Sequence, residues 1–282
     1  MKLGFIGCGK MATALVQGVI KSGLAKPEDL TVSDAVPAAM ENLAKTTGVK
    51  AVGSNVEVAA VSDAIVLAVK PGDAILALQS MGTGAMESTM RWAWKGGDQE
   101  GNKLLLSIVA GLPLEKLEAA AGPRFRVVRA MPNTPALILR GATGYARGSR
   151  ATDADAEIAA QIFGSVGVAV AVKESLLDAV TGLSGSGPAY VYTIIEALAD
   201  GGVLMGLPRD LALQLAAQTL AGSAELVLQS GQHPGVLRDQ VTSPGGTTIA
   251  GLEALEQGGL RAALLSAVRA ATERARELGS AK

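Results

Sequence analysis

An α/β architecture, with a mostly parallel sheet followed by an all-helical region, is predicted for this 282-residue chain by three features. From Lys2 to about Val172, short β-rich apolar runs alternate with segments of helical period. A glycine-rich turn, Gly7-Cys8-Gly9-Lys10-Met11-Ala12, joins the first run to the first helical segment. After Lys173 the β-type runs cease and Ala, Leu, Gln and Arg dominate. The length suits about two domains, so the change of texture divides the chain into residues 1–172 and 173–282.

In chain order, strands are expected at Leu3 to Ile6, Leu30 to Ser33, Ala64 to Ala68, Leu104 to Ile108 and Arg126 to Arg129. Met11 to Ser22, Pro37 to Thr46, Asn55 to Val61 and Pro113 to Ala121 carry the helical spacing that parallel neighbours need as connections. Gly144 to Ala146 and Val168 to Val172 read as edge strands around a helix from Asp153 to Ser165. Three or four long helical segments follow. Tyr190 to Met205 is apolar around most of its circumference, with Glu196 and Asp200 its only charges, so a partner chain is expected to cover what one monomer cannot. Gly201-Gly202 within it costs helix stability but permits close helix contact. Leu260 to Leu278 is an ordinary amphipathic helix, with Leu264, Leu265, Val268 and Ala275 on one side. Gly82 to Asn102 holds Trp92 and Trp94 without a clean period, and reads as a long surface loop with a short helix.

Composition excludes several classes of function. With 25 Lys plus Arg against 26 Asp plus Glu, and no basic run, a dedicated nucleic-acid binder is not expected. No apolar stretch reaches the roughly 18 residues of a membrane span, and a cytoplasmic setting is the expectation. One cysteine, Cys8, and one histidine, His233, leave no internal disulfide, no Cys/His metal cage and little room for a hydrolytic triad. Apolar residues make up 49% and charged ones 18%, against a usual charged share of about 25%. Burial between subunits as well as within the chain follows.

The first chemical signal is the G-x-G-x-x-A string at Gly7, Cys8, Gly9, Lys10, Met11 and Ala12, placed after a strand and before a helix. There the glycines allow a tight turn and close approach to a pyrophosphate, and the helix N-terminus supplies amides and a positive dipole end. Asp34, ending the second strand, would accept hydrogen bonds from an adenine ribose and repel a 2′-phosphate unless a cation compensates. Lys10 is the only cation close in sequence to the turn, so NAD against NADP stays open. Ala68-Val69-Lys70-Pro71, Ser107 to Gly111 with Ala110, and Met131-Pro132-Asn133-Thr134-Pro135 end further strands at the rim where parallel sheets bind ligands. Each is equally readable as a plain loop. In the second half, Ser243-Pro244-Gly245-Gly246-Thr247-Thr248 precedes a helix. Its glycines and hydroxyls suit a nest of amides for an anion such as a carboxylate, or a simple capped turn. Gly182 to Tyr190 is dense in Gly and Ser but is not a G-x-S-x-G elbow. His233, before Pro234 and Gly235, reads as a turn or capping residue.

Together these strings resemble pyrroline-5-carboxylate reductase. The residues that carry the likeness are Phe5 to Met11, Ala68 to Pro71, Arg129 to Pro135, Ser184 to Tyr190, His233 to Gly235 and Ser243 to Thr248. The resemblance implies a Rossmann-type domain followed by an all-α dimerisation domain that intertwines with a second subunit, often in rings of dimers. It implies reduction of 1-pyrroline-5-carboxylate to L-proline by hydride from NADP(H) or NAD(H). It places the substrate carboxylate on Ser243 and the amides of Gly245, Gly246 and Thr247, with Thr248 facing the ring nitrogen. It places the pyrophosphate on Gly7 to Met11, the ribose near Asp34 and Asn55, and the rest of the cofactor along Ala68 to Pro71. Thr181, Ser184 and Ser186 would approach the nicotinamide from the neighbouring chain. Two departures stand out: Pro71 to Leu104 is longer than the family pattern, and Asp34 sits where many relatives carry small or uncharged residues. A 3-hydroxyacid dehydrogenase would want a Lys or His for an alcohol proton, which the Ser243 to Thr248 loop lacks. A nucleotide-sensing scaffold would have no use for a carboxylate nest.

Overall fold

The structure is a computed structural model that describes residues 1–83 and 103–280; the expected loop around Trp92 and Trp94 lies outside them. The runs at Leu3–Ile6, Leu30–Ser33 and Ala64–Leu67 become strands whose residues are buried on both faces, as helix-covered parallel sheets require. The order is β1 (Leu3–Ile6), α1 (Lys10–Lys21), β2 (Leu30–Ser33), α2 (Pro37–Thr47), β3 (Lys50–Ala51), α3 (Asn55–Val61), β4 (Ala64–Leu67) and α4 (Ala74–Leu78). Then come β5 (Lys103–Ser107), α5 (Leu114–Ala121), β6 (Phe125–Met131), β7 (Gly141–Arg147), α6 (Asp153–Gly164) and β8 (Gly167–Ala171).

These strands form one sheet in the order β3-β2-β1-β4-β5-β6-β7-β8. All pairs are parallel except β6 with β7. Alternate side chains serve opposite faces: Leu3, Phe5, Ala64, Val66, Leu104 and Leu106 enter one core, whereas Ile6, Ile65, Leu67 and Leu105 enter the other. The strand order reverses between β1 and β4, so the crevice above their carboxyl ends is the ligand position that open α/β sheets offer.

Three strands differ from expectation. β3 has two exposed residues, too few to leave an apolar signal. β7 is seven residues long and lies between β6 and β8, so it is internal and not an edge; its glycines, Gly141 and Gly144, interrupt the apolar run, so that only Gly144 to Ala146 read as strand. β5 starts at Lys103, whose buried ammonium donates to the Ser62 carbonyl at 2.7 Å.

Helices complete the chain: α7 (Leu177–Val180), α8 (Gly187–Leu204), α9 (Arg209–Ser230), α10 (Pro234–Gln240), α11 (Thr247–Gln257) and α12 (Leu260–Ser280). Three are long, and α10 and α11 are shorter than the texture implied. The contacts divide the chain into two compact units, one of Met1–Gly185 with Ala271–Lys282 and one of Ser186–Ala270. In the second unit α8 packs on α9, with Ala199, Ala212 and Ala216 buried between them. Gly202 accounts for the close approach: a Cβ there would stand 3.1 Å from the Ala212 Cβ, whereas one on Gly201 would meet nothing within 4 Å. Leu211, Leu213, Leu215, Leu226 and Leu228 of α9 are exposed, as are Val191, Tyr192, Leu198 and Leu204 of α8. Contrary to the sequence reading, α9 is long and apolar enough to cross a membrane by length and composition. Its neutral Gln, Ser and Thr residues interrupt the apolar run without adding charge.

Candidate active site

The turn between β1 and α1 sits at the reversal of strand order. Gly7 has φ +97°, and a Cβ on it would lie 2.6 Å from the Ala68 carbonyl oxygen, so glycine is demanded by the protein's own backbone. Gly9 differs. It is the N-cap of α1 with φ −72° and no side-chain cap, and a Cβ on it would meet no protein atom within 4 Å. Packing does not require that glycine, whereas backbone approach by a pyrophosphate does. Ala12, buried in the core beside β1, completes the string, and Lys10 is exposed at the first turn of α1. The residues present therefore fit a dinucleotide.

At the end of β2 the Asp34 carboxylate accepts from two backbone amides, Cys8 N at 2.5 Å and Val36 N at 2.7 Å. Beside it, the Ser33 hydroxyl donates to the Asn55 Oδ1 at 2.6 Å, and the Asn55 Nδ2 donates to the Ser80 hydroxyl at 2.8 Å. Asn55 is thus tied to Ser33, the residue before Asp34. The Cys8 thiol is buried and directed at the Ser33 carbonyl. Burial, and after it the Asp34 charge, push this thiol up to about 12, so it stays protonated and does not act as a nucleophile. Its backbone amide binds Asp34 in the glycine turn, and its sulfur faces the Ser33 carbonyl.

Ala68, Val69, Lys70 and Pro71 follow β4 on the same rim. Lys70 and Pro71 are exposed, and Pro71 opens a short 3-10 turn. Ala110, after β5, is exposed too. Asn133, after β6, is buried with both ends of its amide engaged: Oδ1 accepts from Ala142 N at 2.8 Å and Nδ2 donates to the Ser184 carbonyl at 3.0 Å. It ties the end of β6 to a π-turn, Thr181–Gly185, between α7 and α8. The hydroxyls of Thr181 and Ser184 bond the carbonyls of Leu177 and Val180, and Ser186 is the N-cap of α8 without a side-chain cap bond. Sequence reasoning missed a cluster behind this turn. Buried Arg129 pairs with Glu174 at 3.1 Å and Asp178 at 3.8 Å, and Glu174 also accepts from Leu114 N at the start of α5.

Ser243 to Thr248 forms a turn into α11. The Gly246 amide donates to the Ser243 carbonyl at 3.1 Å, with Pro244 and Gly245 (φ +67°) at the corners, the residue pattern of a type II turn. The N-cap is Gly246, not a threonine, and it supplies no side chain. Thr247 and Thr248 are the first helical residues, so their amides have no intrahelical acceptor. The Gly246 amide is engaged within the turn, unlike that expected donor role. His233 caps α10, its Nδ1 accepting from Gly235 N at 3.1 Å, as its sequence context implied. No group of three or more His, Cys, Asp or Glu suited to a metal occurs among the described residues.

Comparison with known proteins fits this arrangement. Residues 174–278 match the family model described as pyrroline-5-carboxylate reductase dimerisation, and residues 2–89 match that of NADP oxidoreductase, coenzyme F420-dependent. A pyrroline-5-carboxylate reductase of Methanosarcina acetivorans is 46% identical over 99% of this chain and 98% of its own. A Plasmodium falciparum pyrroline carboxylate reductase with NADP bound superposes with a TM-score of 0.82 at 36% identity, covering 99% of this chain and 98% of the other. The Coxiella burnetii reductase gives 0.88 at 32% identity, covering 99% of each. With a glycine turn at the strand reversal, a glycine N-cap opening α11 and likeness along the whole length, the chain belongs to the pyrroline-5-carboxylate reductase family.

Proposed function

We propose that this chain reduces 1-pyrroline-5-carboxylate to L-proline, the last step of proline biosynthesis, as a cytoplasmic NAD(P)H-dependent enzyme. The observation that carries the reading is a pair of helix starts, α1 and α11, each opened by a glycine N-cap that brings no side chain. One suits a pyrophosphate and the other a carboxylate. NAD(P)H, when bound, supplies the hydride for the C=N carbon. The protein's work is to orient two rings and hold the acid, because a protonated imine already attracts hydride. Ser243 and the free amides of Gly245 and Thr247 would hold the carboxylate, and the Thr248 hydroxyl would bond the ring nitrogen. Residues 1–172 would serve as the dinucleotide-binding domain and 173–282 as the substrate-binding and dimerisation domain. The exposed leucines of α9 support an intertwined dimer, and rings of dimers are its proposed larger form.

Mixing the protein with NADH or NADPH and the cyclic imine, and following nicotinamide absorbance, tests the reaction. Loss of signal with the imine acid and none with a 2-keto or 3-keto acid is expected. Loss with the keto acid alone would make the chain a hydroxyacid dehydrogenase instead.

A further inference from the structure

We infer that Asp34 makes this chain select NADH over NADPH, a refinement that rests on the dinucleotide reading above. The carboxylate stands at the carboxyl end of β2, where an open α/β sheet receives the adenosine ribose when the pyrophosphate sits on the neighbouring β1 turn. Two features of its setting decide the preference.

The first is that Asp34 is tethered. Oδ2 accepts from Cys8 N in the glycine turn itself and Oδ1 accepts from Val36 N, so turning the carboxylate aside breaks both bonds. An ionised carboxylate has about four acceptor positions. Each oxygen therefore keeps one for a hydroxyl donor, which matches a ribose with both the 2′- and 3′-hydroxyl groups free. A 2′-phosphate has only acceptors to present to it, and carries like charge.

The second is that the loop offers no compensation. From Asp34 the chain runs Ala35-Val36-Pro37-Ala38-Ala39, with no cationic or hydroxyl side chain. The Val36 amide is already engaged by Asp34, and Pro37 has no N–H. Asn55 accepts from Ser33 through Oδ1 and gives one Nδ2 hydrogen to Ser80, so what it keeps is one neutral N–H, which brings no charge to offset a phosphate. Lys10 makes no ion pair with Asp34 among the described residues, and the carboxylate's recorded partners are both backbone amides. Like charge without a compensating cation on this loop disfavours the phosphate strongly.

Titration by nicotinamide fluorescence, with no imine present, reads the dissociation constants of NADH and NADPH directly. The wild type is expected to bind NADH at least about tenfold more tightly. In Asp34→Ser that ratio should fall by about tenfold, through tighter NADPH and weaker NADH. Asp34→Asn, which keeps the shape and one acceptor oxygen, should shift it in the same direction. Equal or tighter NADPH binding by the wild type overturns the proposal alone, even if the variants do not fold. An unchanged ratio in folded Asp34→Ser overturns it as well. Failure of both nucleotides to bind overturns the dinucleotide reading and this proposal with it.

Discussion

The two glycines of the first turn are required for different reasons, and substitution separates them. A side chain on Gly7 must displace the Ala68 carbonyl, whereas one on Gly9 meets only the space above α1. Gly9→Val should therefore cost no more than about 1 kcal/mol of stability yet weaken dinucleotide binding at least about tenfold. Chemical denaturation and fluorescence titration of the one variant give both values. Thr248→Val should lower turnover by about tenfold, from the loss of about 1 to 2 kcal/mol of hydrogen bonding at the ring nitrogen. Unchanged kcat would remove Thr248 from the chemistry. Asp155 is a structural counterpart. Burial pulls its carboxyl upward, but bonds from Arg126 and from the Thr152 amide and hydroxyl outweigh it and hold it below the ordinary 3.8. A carboxyl depressed on folding contributes stability above its unfolded value and loses it as pH falls through the folded one. Asp155→Asn should thus be destabilised by about 2 to 3 kcal/mol at pH 7. In urea melts its gap from the wild type should narrow below pH 3.8.

Among elements, α8 and α9 owe their contact to Gly202. Gly202→Val should cost about 1 to 3 kcal/mol by overpacking against Ala212, whereas Gly201→Ala should be neutral or slightly stabilising through better helix propensity. Thermal melts of the two variants distinguish the positions. What was legible at this scale follows from burial. β1, β2 and β4 are buried throughout and announce themselves as apolar runs. β3 is exposed and β7 is rich in glycine, so neither leaves that mark. The glycine turn was legible because its requirement is local. The bonds of Arg129 to Glu174 and of Asn133 to Ser184 join residues 45 and 51 positions apart, and no local pattern encodes them. The π-turn at Thr181–Gly185 is likewise set by backbone geometry beyond composition, whereas the engaged Gly246 amide follows from the local Pro244-Gly245 turn pattern.

For the whole molecule, the apolar excess of the sequence is explained only partly within one chain. The leucines of α9 and the apolar residues of α8 remain exposed, and their burial by a second copy agrees with the matched dimerisation model. Replacing Leu211 and Leu215 together with Asp should shift the protein toward monomers in sedimentation velocity, since each exposed leucine loses on the order of 1.5 to 3 kcal/mol of burial. An unchanged sedimentation coefficient would put the contact on other helices. The most direct measurement, however, concerns the acid at α11: a crystal structure with L-proline bound. The expected density has the amino acid's carboxylate on the Ser243 hydroxyl and the first amides of α11, with its nitrogen toward Thr248. Proline bound elsewhere, with that helix start uncontacted, would contradict the roles given to Ser243, Gly245, Thr247 and Thr248.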